Sequence, residues 1–181
     1  MNEVSYNDKI FEVFIPQEKI QSIVTRLAEE ISTTYASSDE PIVLISILDG
    51  SFIFMADLVR KIRIPVTIQF VKLKSYEDTS SRGEVAQLLK LQTSLTNKHV
   101  VVVEDIIDTG LTLEVFQEEL KKQNPLSVKI CTLLSKPEVH NDIIDIHFVG
   151  QEIGPDFVIG YGLDINDEGR HHPDIYRLKI D

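Results

Sequence analysis

Two long apolar runs constrain the fold of this chain most strongly. One spans residues 42–48 (Ile-Val-Leu-Ile-Ser-Ile-Leu), and the other begins with four consecutive valines at Val100. Apolar residues at nearly every position, rather than at alternate positions, are typical of a strand that is buried on both faces. The sequence therefore predicts an α/β fold in which a central, mainly parallel sheet is covered by helices.

The segments between these runs have the spacing of further helices and strands. A first helix is expected from about Pro16, because apolar residues follow at helical spacing as far as Ile31. The polar stretch 75–83 has no apolar periodicity and is predicted to be a mobile loop. Further elements are expected as helices over 52–62 and 113–120, and as strands over about 65–73, 100–105, 128–134 and 156–161.

Length and charge limit the classes of function. The 181 residues suffice for one ordinary core, so a single domain over residues 1–181 is predicted. There are 18 Lys and Arg residues against 29 Asp and Glu residues, which gives a formal net charge of −11 without any basic run. Because nucleic-acid binding depends largely on neutralising phosphates, a nucleic-acid partner is disfavoured. An anionic small substrate would need help from a metal or from backbone amides.

The sequence also favours a cytoplasmic location without a membrane partner. No segment reaches the roughly 20 apolar residues that a bilayer-spanning helix needs. The first eight residues lack the apolar stretch of a signal peptide. The one cysteine, Cys131, lies in a predicted strand and has no partner in the chain, so we expect a buried and inert thiol.

The segment 104–112 contains the residues that most clearly indicate a ligand-binding or catalytic site. Glu104 and Asp105 follow the four valines, at the sheet edge where α/β proteins place their ligands. The sequence Asp-Thr-Gly-Leu-Thr at 108–112 then precedes a predicted helix, whose first backbone amides can hold a phosphate. A blander interpretation, in which Asp108 or Thr109 caps that helix, fits each residue alone but not the combination. Neither a Walker loop nor a dinucleotide-binding glycine pattern is present.

This segment resembles the phosphoribosyl-pyrophosphate motif of type I phosphoribosyltransferases. Matches at 48–51, 74–76, 134–136, 157–158, Asp164 and Arg170 narrow the resemblance to the hypoxanthine-guanine phosphoribosyltransferase family, over about residues 10–178. The resemblance implies the type I fold, with a small hood formed by the N-terminal segment and about residues 136–181. It also implies a purine salvage enzyme that joins phosphoribosyl pyrophosphate to hypoxanthine or guanine, gives IMP or GMP and pyrophosphate, and uses Mg²⁺.

The resemblance also assigns residues to the parts of the site. The implied phosphoribosyl and 5′-phosphate contacts are Glu104, Asp105, Asp108, Thr109, Gly110, Leu111 and Thr112. The implied pyrophosphate contacts are Leu48, Asp49, Gly50, Ser51 and Arg170. The implied purine contacts are Lys136, Phe157, Val158 and Asp164. Ser75 and Tyr76 would open a flexible loop that closes over the reacting carbon, and the implied metal-binding acids are Glu104, Asp105 and Asp164.

Elementary chemistry agrees with the implied roles. An aspartate is normally ionised at pH 7, so Asp108, the implied catalytic residue, could accept a proton near the purine N7. A lysine at 136 that donates to the purine 6-oxygen would reject adenine, which carries a donor there. Phe157 would stack on the base, and Val158 would contribute its backbone. The planar guanidinium of Arg170 suits phosphate oxygens.

Three features leave alternatives open. Asp49 stands where many relatives carry a basic residue, and a carboxylate beside pyrophosphate should repel it. The resemblance also implies a non-proline cis peptide at Leu48-Asp49, whose backbone amides could still bind pyrophosphate. Glu168-Gly169 also departs from the family pattern and weakens the assignment of Arg170. His171 and His172 are interpreted as a solvated turn.

Rival functions are a phosphoribosyltransferase for xanthine or a pyrimidine, and a non-catalytic regulator that senses phosphoribosyl pyrophosphate. A regulator would be expected to have a basic face or a DNA-binding domain, and the charge of −11 in one domain indicates neither. A homo-oligomer, either a dimer or a tetramer, is expected by resemblance.

Overall fold

The computed structural model describes residues 3–75, 85–89, 91–140 and 143–179. Within these ranges the chain forms two sheets and four helices. In chain order the elements are β1 (Glu3–Tyr6), β2 (Lys9–Ile15), α1 (Gln17–Thr34), β3 (Ile42–Leu48), α2 (Phe52–Val59), β4 (Val66–Ser75), β5 (Val85–Leu89), β6 (His99–Ile107), α3 (Leu111–Lys121), β7 (Ser127–Ser135), α4 (Pro137–His140), β8 (Phe148–Glu152), β9 (Val158–Ile159) and β10 (Ile175–Leu178).

The larger sheet has the strand order β5-β4-β3-β6-β7-β8. The five strands β4, β3, β6, β7 and β8 are parallel to one another. Strand β5 pairs antiparallel with β4 at one edge of the sheet. The two apolar runs form the neighbouring strands β3 and β6. The prediction of a central, mainly parallel sheet covered by helices is therefore confirmed.

Both faces of this sheet are buried, which explains why β3 and β6 are apolar at almost every position. Leu44 and Val101 pack with α1 and α2 on one face. Val43 and Val102 pack with α3 on the other face. Successive strand side chains point to opposite faces, so each strand needs both sets of apolar residues. Cys131 is also fully buried, as expected.

The helix predictions hold with small corrections. Pro16 precedes α1 and the expected apolar positions of that helix are buried. The predicted helix over 52–62 ends earlier, at Val59, and the Phe52 side chain at its start is 44% exposed rather than buried. The buried residues of this helix are Phe54, Met55 and Leu58 instead. No helix in the described part of the chain is long and apolar enough to cross a bilayer.

The smaller sheet, here called the hood sheet, is antiparallel and joins the two ends of the chain in the order β1-β2-β10-β9. This finding corrects one strand prediction. The range 156–161 contains only the two-residue strand β9, and β9 belongs to the hood sheet. The last parallel strand is instead β8, which was missed because an edge strand buries few of its residues and its sequence Phe-Val-Gly-Gln-Glu is largely polar.

Candidate active site

The carboxyl end of β6 brings the first predicted site residues to the sheet edge. The strand does not end at Asp105 as expected but continues to Ile107. Glu104 and Asp105 therefore remain on opposite sides of the strand. Glu104 lines a cavity of about 160 Å³, whereas Asp105 faces Gly50 in the loop after β3.

The 160 Å³ cavity is the clearest candidate for the phosphoribosyl site. Asp108, Thr109, Gly110 and Thr112 line it together with Glu104. Gly110 has a φ of 76° and caps the start of α3, and no side chain caps this helix. The first amides of a helix lack intrahelical partners, so the loop presents donors suited to an anion. Leu111 is not among the lining residues and its side chain is 55% exposed.

One carboxylate oxygen of Glu104 is buried without a hydrogen-bond partner. The Oε2 atom has no partner among the described residues. Burial, and then the neighbouring charge of Asp105, raise the pKa of Glu104 well above its ordinary value. A buried carboxylate oxygen without a partner is costly, so its presence indicates that the site is built for an additional group, such as a sugar hydroxyl, water or cation.

Asp105 lies where the loop after β3 meets the segment before β10. A Cβ atom added to Gly50 would lie 1.8 Å from Asp105 Oδ2, and one added to Gly162 would lie 2.0 Å from the carbonyl oxygen of Gly50. Gly50 lies between the other two residues, so a side chain at 162 would collide with backbone, and one at 50 would displace the Asp105 carboxylate. Burial raises the pKa of Asp105 to about 6, although backbone hydrogen bonds and the Arg170 guanidinium oppose the rise.

Arg170 is fixed at the same place. Its Nη1 donates to the Gly162 carbonyl at 2.8 Å, and its Nη2 lies 2.9 Å from Asp164 Oδ1. The second oxygen of Asp164 accepts the Asp167 backbone N–H at 2.8 Å. Despite the unusual Glu168-Gly169 ahead of it, Arg170 is thus held beside Asp105 and Gly50.

The loop 48–51 shows how this chain accommodates Asp49. The Leu48–Asp49 peptide is cis. The Asp49 carboxylate pairs with Lys72 of β4 at 2.5 Å, so a neighbouring strand neutralises the charge that would repel pyrophosphate. Ser51 is fully buried, and its hydroxyl donates to the Ile47 carbonyl and contacts the Ser46 hydroxyl at 2.6 Å. Only the backbone of Ser51 is therefore placed to serve the site.

Lys136 and Asp108 meet across the carboxyl ends of β6 and β7. Each follows the paired positions Ile107 and Ser135. Lys136 Nζ lies 3.5 Å from Asp108 Oδ2, and the lysine side chain is only 9% exposed. A lysine is rarely buried unless it is paired, so a specific partner or ligand is expected for Lys136.

The other predicted purine contacts lie beside the hood sheet. Phe157 precedes β9 and is 46% exposed, with its ring centroid 6.1 Å from that of Phe11. Val158 is buried and pairs with Arg177 of β10.

Of the two residues predicted to open the flexible loop, Ser75 is the last residue of β4. Tyr76 and most of the predicted loop lie outside the described residues.

The predicted solvated turn at 171–172 is wrong for His172. This side chain is partly buried, and its Nε2 lies 2.6 Å from the Tyr6 hydroxyl. The reason is tertiary packing, because β1 returns from the other end of the chain to cover the turn.

The acids of the site fit a hard cation only in part. Among the described residues no group of three His, Cys, Asp or Glu side chains could hold a metal alone. Mg²⁺ commonly takes one or two carboxylates and completes its shell with water and substrate phosphates. Asp105 and Asp164 both lie near Arg170, whereas Glu104 faces the 160 Å³ cavity. These oxygen donors therefore suit ions that are shared with substrate at separate places, rather than one closed protein site.

Comparison with known proteins identifies the family. A model of the phosphoribosyl transferase domain matches residues 16–166. The hypoxanthine phosphoribosyltransferase of Buchnera aphidicola subsp. Schizaphis graminum is 42% identical over 167 residues, which cover 92% of this chain and 94% of the relative. The chain belongs to the hypoxanthine-guanine phosphoribosyltransferase family. The Mycobacterium tuberculosis hypoxanthine-guanine phosphoribosyltransferase is 36% identical, over 91% of this chain and 84% of that relative.

Solved structures of this family have the same fold. The Trypanosoma cruzi hypoxanthine phosphoribosyltransferase in complex with the product IMP matches with a TM-score of 0.88 and 35% identity, over 97% of each chain. A Bacillus anthracis hypoxanthine-guanine phosphoribosyltransferase matches with a TM-score of 0.86 and 38% identity, over 93% of this chain and 98% of that one. The type I fold implied by the sequence is confirmed.

Some residues of the site were not predicted from the sequence. Lys72 gave no signal, because its pairing with Asp49 depends on strand order. Gly162 gave a partial signal, since the close glycines in Gly160-Tyr161-Gly162 indicate unusual backbone geometry. Its φ of 105° is in the region that favours glycine.

Proposed function

We propose that this member of the phosphoribosyltransferase family is a purine salvage enzyme that transfers the 5-phosphoribosyl group from phosphoribosyl pyrophosphate to hypoxanthine, guanine or both. The products would be IMP or GMP and pyrophosphate. The observation that carries the choice of base is the pairing of the buried Lys136 with Asp108 at the carboxyl ends of β6 and β7. The names of the relatives agree with it.

Lys136 and Asp108 would read and activate the base. The Lys136 ammonium group donates a hydrogen bond to the purine 6-oxygen and would face a donor in adenine, so adenine is rejected. As the purine N9 attacks C1′ of the ribose, the base must lose a proton. The carboxylate of Asp108 accepts that proton, or strengthens its hydrogen bond, near N7. The exposed ring of Phe157 stacks on the base, and the backbone of Val158 holds its edge.

The 160 Å³ cavity would hold the sugar phosphate. Residues 108–112 supply backbone amides and two threonine hydroxyls for the 5′-phosphate, with the start of α3 adding its partial positive charge. The carboxylates of Glu104 and Asp105 would meet the ribose hydroxyls. Because the sugar is held in this way, C1′ is already placed next to the base, and the entropic cost of bringing the two together is lowered.

The loop 48–51 and Arg170 would hold the leaving pyrophosphate. Backbone amides of this loop and the guanidinium of Arg170 stabilise the charge that develops as the bond from C1′ to oxygen breaks. The family implies a divalent metal, and we propose Mg²⁺, with one ion held by Glu104 and Asp105, directly or through bound water, and a second near Asp164, each shared with substrate oxygens. Such an ion would neutralise pyrophosphate charge. Ser75 and Tyr76 are proposed to open the loop that excludes water from C1′.

Three further expectations belong to the same proposal. The enzyme is cytoplasmic, it forms a dimer or tetramer, and it is one functional domain over residues 1–181. A preference for xanthine is the second candidate function, because Lys136 would also donate to the 6-oxygen of xanthine. The site chemistry described above does not favour xanthine over hypoxanthine and guanine.

The test is product formation from phosphoribosyl pyrophosphate and Mg²⁺ with hypoxanthine, guanine, xanthine, adenine and uracil in turn. We expect nucleotide from 6-oxopurines only, and a loss of kcat of about 10²–10⁴-fold in Asp108→Asn, the range typical of general acid–base catalysis. Glu118→Gln, in the exposed ion pair of α3 with Lys121, is the control for a surface charge change. Binding of phosphoribosyl pyrophosphate without turnover on any base would instead support the non-catalytic regulator.

A further inference from the structure

The segment 161–170 presents Arg170 and Asp164 to the site, and its first residue is unusually constrained. Tyr161 is 3% exposed and has a φ of 52°, which is rare for a residue other than glycine. Its backbone N–H donates to the His172 carbonyl at 2.8 Å. Its hydroxyl donates to Asp57 Oδ2 at 2.7 Å, in α2. Tyr161 is therefore held at both its backbone and its side chain.

Other side chains hold the Asp57 carboxylate in place to accept the hydrogen bond from Tyr161. The Asp57 carboxylate also accepts the side-chain amide of Gln21 in α1 at 2.7 Å and pairs with Arg60 one turn later in α2. Its side chain is 13% exposed. Burial by itself would raise the pKa of Asp57, but the hydrogen bonds from Tyr161 and Gln21 and the Arg60 guanidinium outweigh it, and the pKa lies below its ordinary value.

The hydrogen bond between Tyr161 and Asp57 connects the two parts of the proposed pyrophosphate site, the loop 48–51 and the segment 161–170. Asp57 lies in α2, which begins directly after the loop 48–51. Tyr161 begins the segment that continues with Gly162, whose Cα packs against the carbonyl of Gly50 in that loop. Arg170 then donates back to the Gly162 carbonyl. A shift of Tyr161 would consequently move Gly162 and Arg170 relative to the loop 48–51.

We infer that Tyr161 and Asp57 are positioning residues, which hold the 161–170 segment against the loop 48–51 so that Arg170 and Asp164 face the pyrophosphate of the substrate. This inference rests on the proposed function. Neither side chain has to touch substrate for it to hold. The hydrogen bond between them matters because it is partly buried, is charge-assisted and joins residues 104 positions apart.

The test compares Tyr161→Phe with Tyr35→Phe. Both substitutions remove one hydroxyl from a buried tyrosine, and Tyr35 packs against His99 near the amino end of β6, away from the site. We expect Tyr161→Phe to raise KM for phosphoribosyl pyrophosphate about tenfold while KM for hypoxanthine changes less than about twofold. Tyr35→Phe should leave both constants unchanged. Asp57→Asn and the double variant complete a cycle, in which the double variant should be less impaired than the product of the two single effects.

The outcomes separate this inference from the proposed function. Equal changes in both KM values, or a lower Tm with unchanged KM values, would mean that the hydrogen bond stabilises the fold without positioning the site, and would overturn the inference while leaving the enzyme intact. Wild-type protein that turns over no base would overturn the proposed function and this inference with it. Additive effects of the two substitutions would show that Tyr161 and Asp57 do not act as a pair.

Discussion

Asp105→Asn should make the metal-free protein more stable at neutral pH while it removes activity. The folded chain holds Asp105 in a buried position where the pKa is raised from 3.8 to about 6. Each factor of ten in proton affinity corresponds to 1.36 kcal/mol, so ionising this carboxyl in the folded state costs up to about 3 kcal/mol. Asparagine has a similar shape and carries no charge, and the variant avoids that cost.

The sign of the effect depends on pH in a defined way. Between pH 3.8 and about 6 the unfolded chain loses the Asp105 proton while the folded chain keeps it, so the free energy of unfolding of the wild type falls as pH rises. Above about pH 7 the deficit is constant. The advantage of the variant should therefore be near zero at about pH 3, about half of its maximum at about pH 5, and essentially complete at about pH 7.5.

The assay is thermal unfolding of both proteins at pH 5 and pH 7.5 with EDTA present. For a chain of this length, 1 kcal/mol shifts Tm by roughly 2–4 °C, so the variant should gain up to about 6–12 °C at pH 7.5. Asp57→Asn is the matched control with the opposite sign, because the pKa of Asp57 is lowered and its loss should destabilise the protein at pH 7.5. A variant at 105 that is no more stable than wild type at pH 7.5, or a gap that does not change with pH, would refute the reasoning.

Three further substitutions probe other parts of the site. Lys136→Met should lower kcat/KM for hypoxanthine about 10- to 100-fold, because a charged hydrogen bond is lost, and an unchanged ratio of hypoxanthine to adenine turnover would contradict its role. Lys72→Met should raise KM for phosphoribosyl pyrophosphate about two- to fivefold by leaving Asp49 unpaired, and adding Asp49→Asn should restore it. Gly50→Ala would place a Cβ atom 1.8 Å from Asp105, so calorimetry should show weaker substrate binding and a stability loss of about 1–3 kcal/mol.

Much of the fold was predictable because burial on two faces leaves a continuous apolar record in the sequence. The runs at 42–48 and 100–103 gave the central strands for this reason. The hood sheet and β8 left no such record, since edge and surface strands bury few residues and their pairing joins distant parts of the chain. The apolar pattern of the sequence therefore predicted the buried central strands but not the strands at the edge and surface of the protein.

The site was predictable where one segment carries several groups and not where different strands meet. Residues 108–112 could be recognised together because they form one loop ahead of a helix. The pairing of Asp49 with Lys72 depends on strand order, and the bond between Tyr161 and Asp57 spans most of the chain. Such contacts depend on how the chain folds, so they cannot be predicted from the local sequence.

The most direct test of the account is a crystal structure of the protein with IMP, Mg²⁺ and pyrophosphate. We predict that Lys136 Nζ lies about 3 Å from the purine 6-oxygen, that the 5′-phosphate accepts amides of residues 108–112, and that pyrophosphate contacts the loop 48–51 and Arg170. A purine bound elsewhere, with Lys136 still directed only at Asp108, would contradict the central claim that these two residues form the base-binding centre.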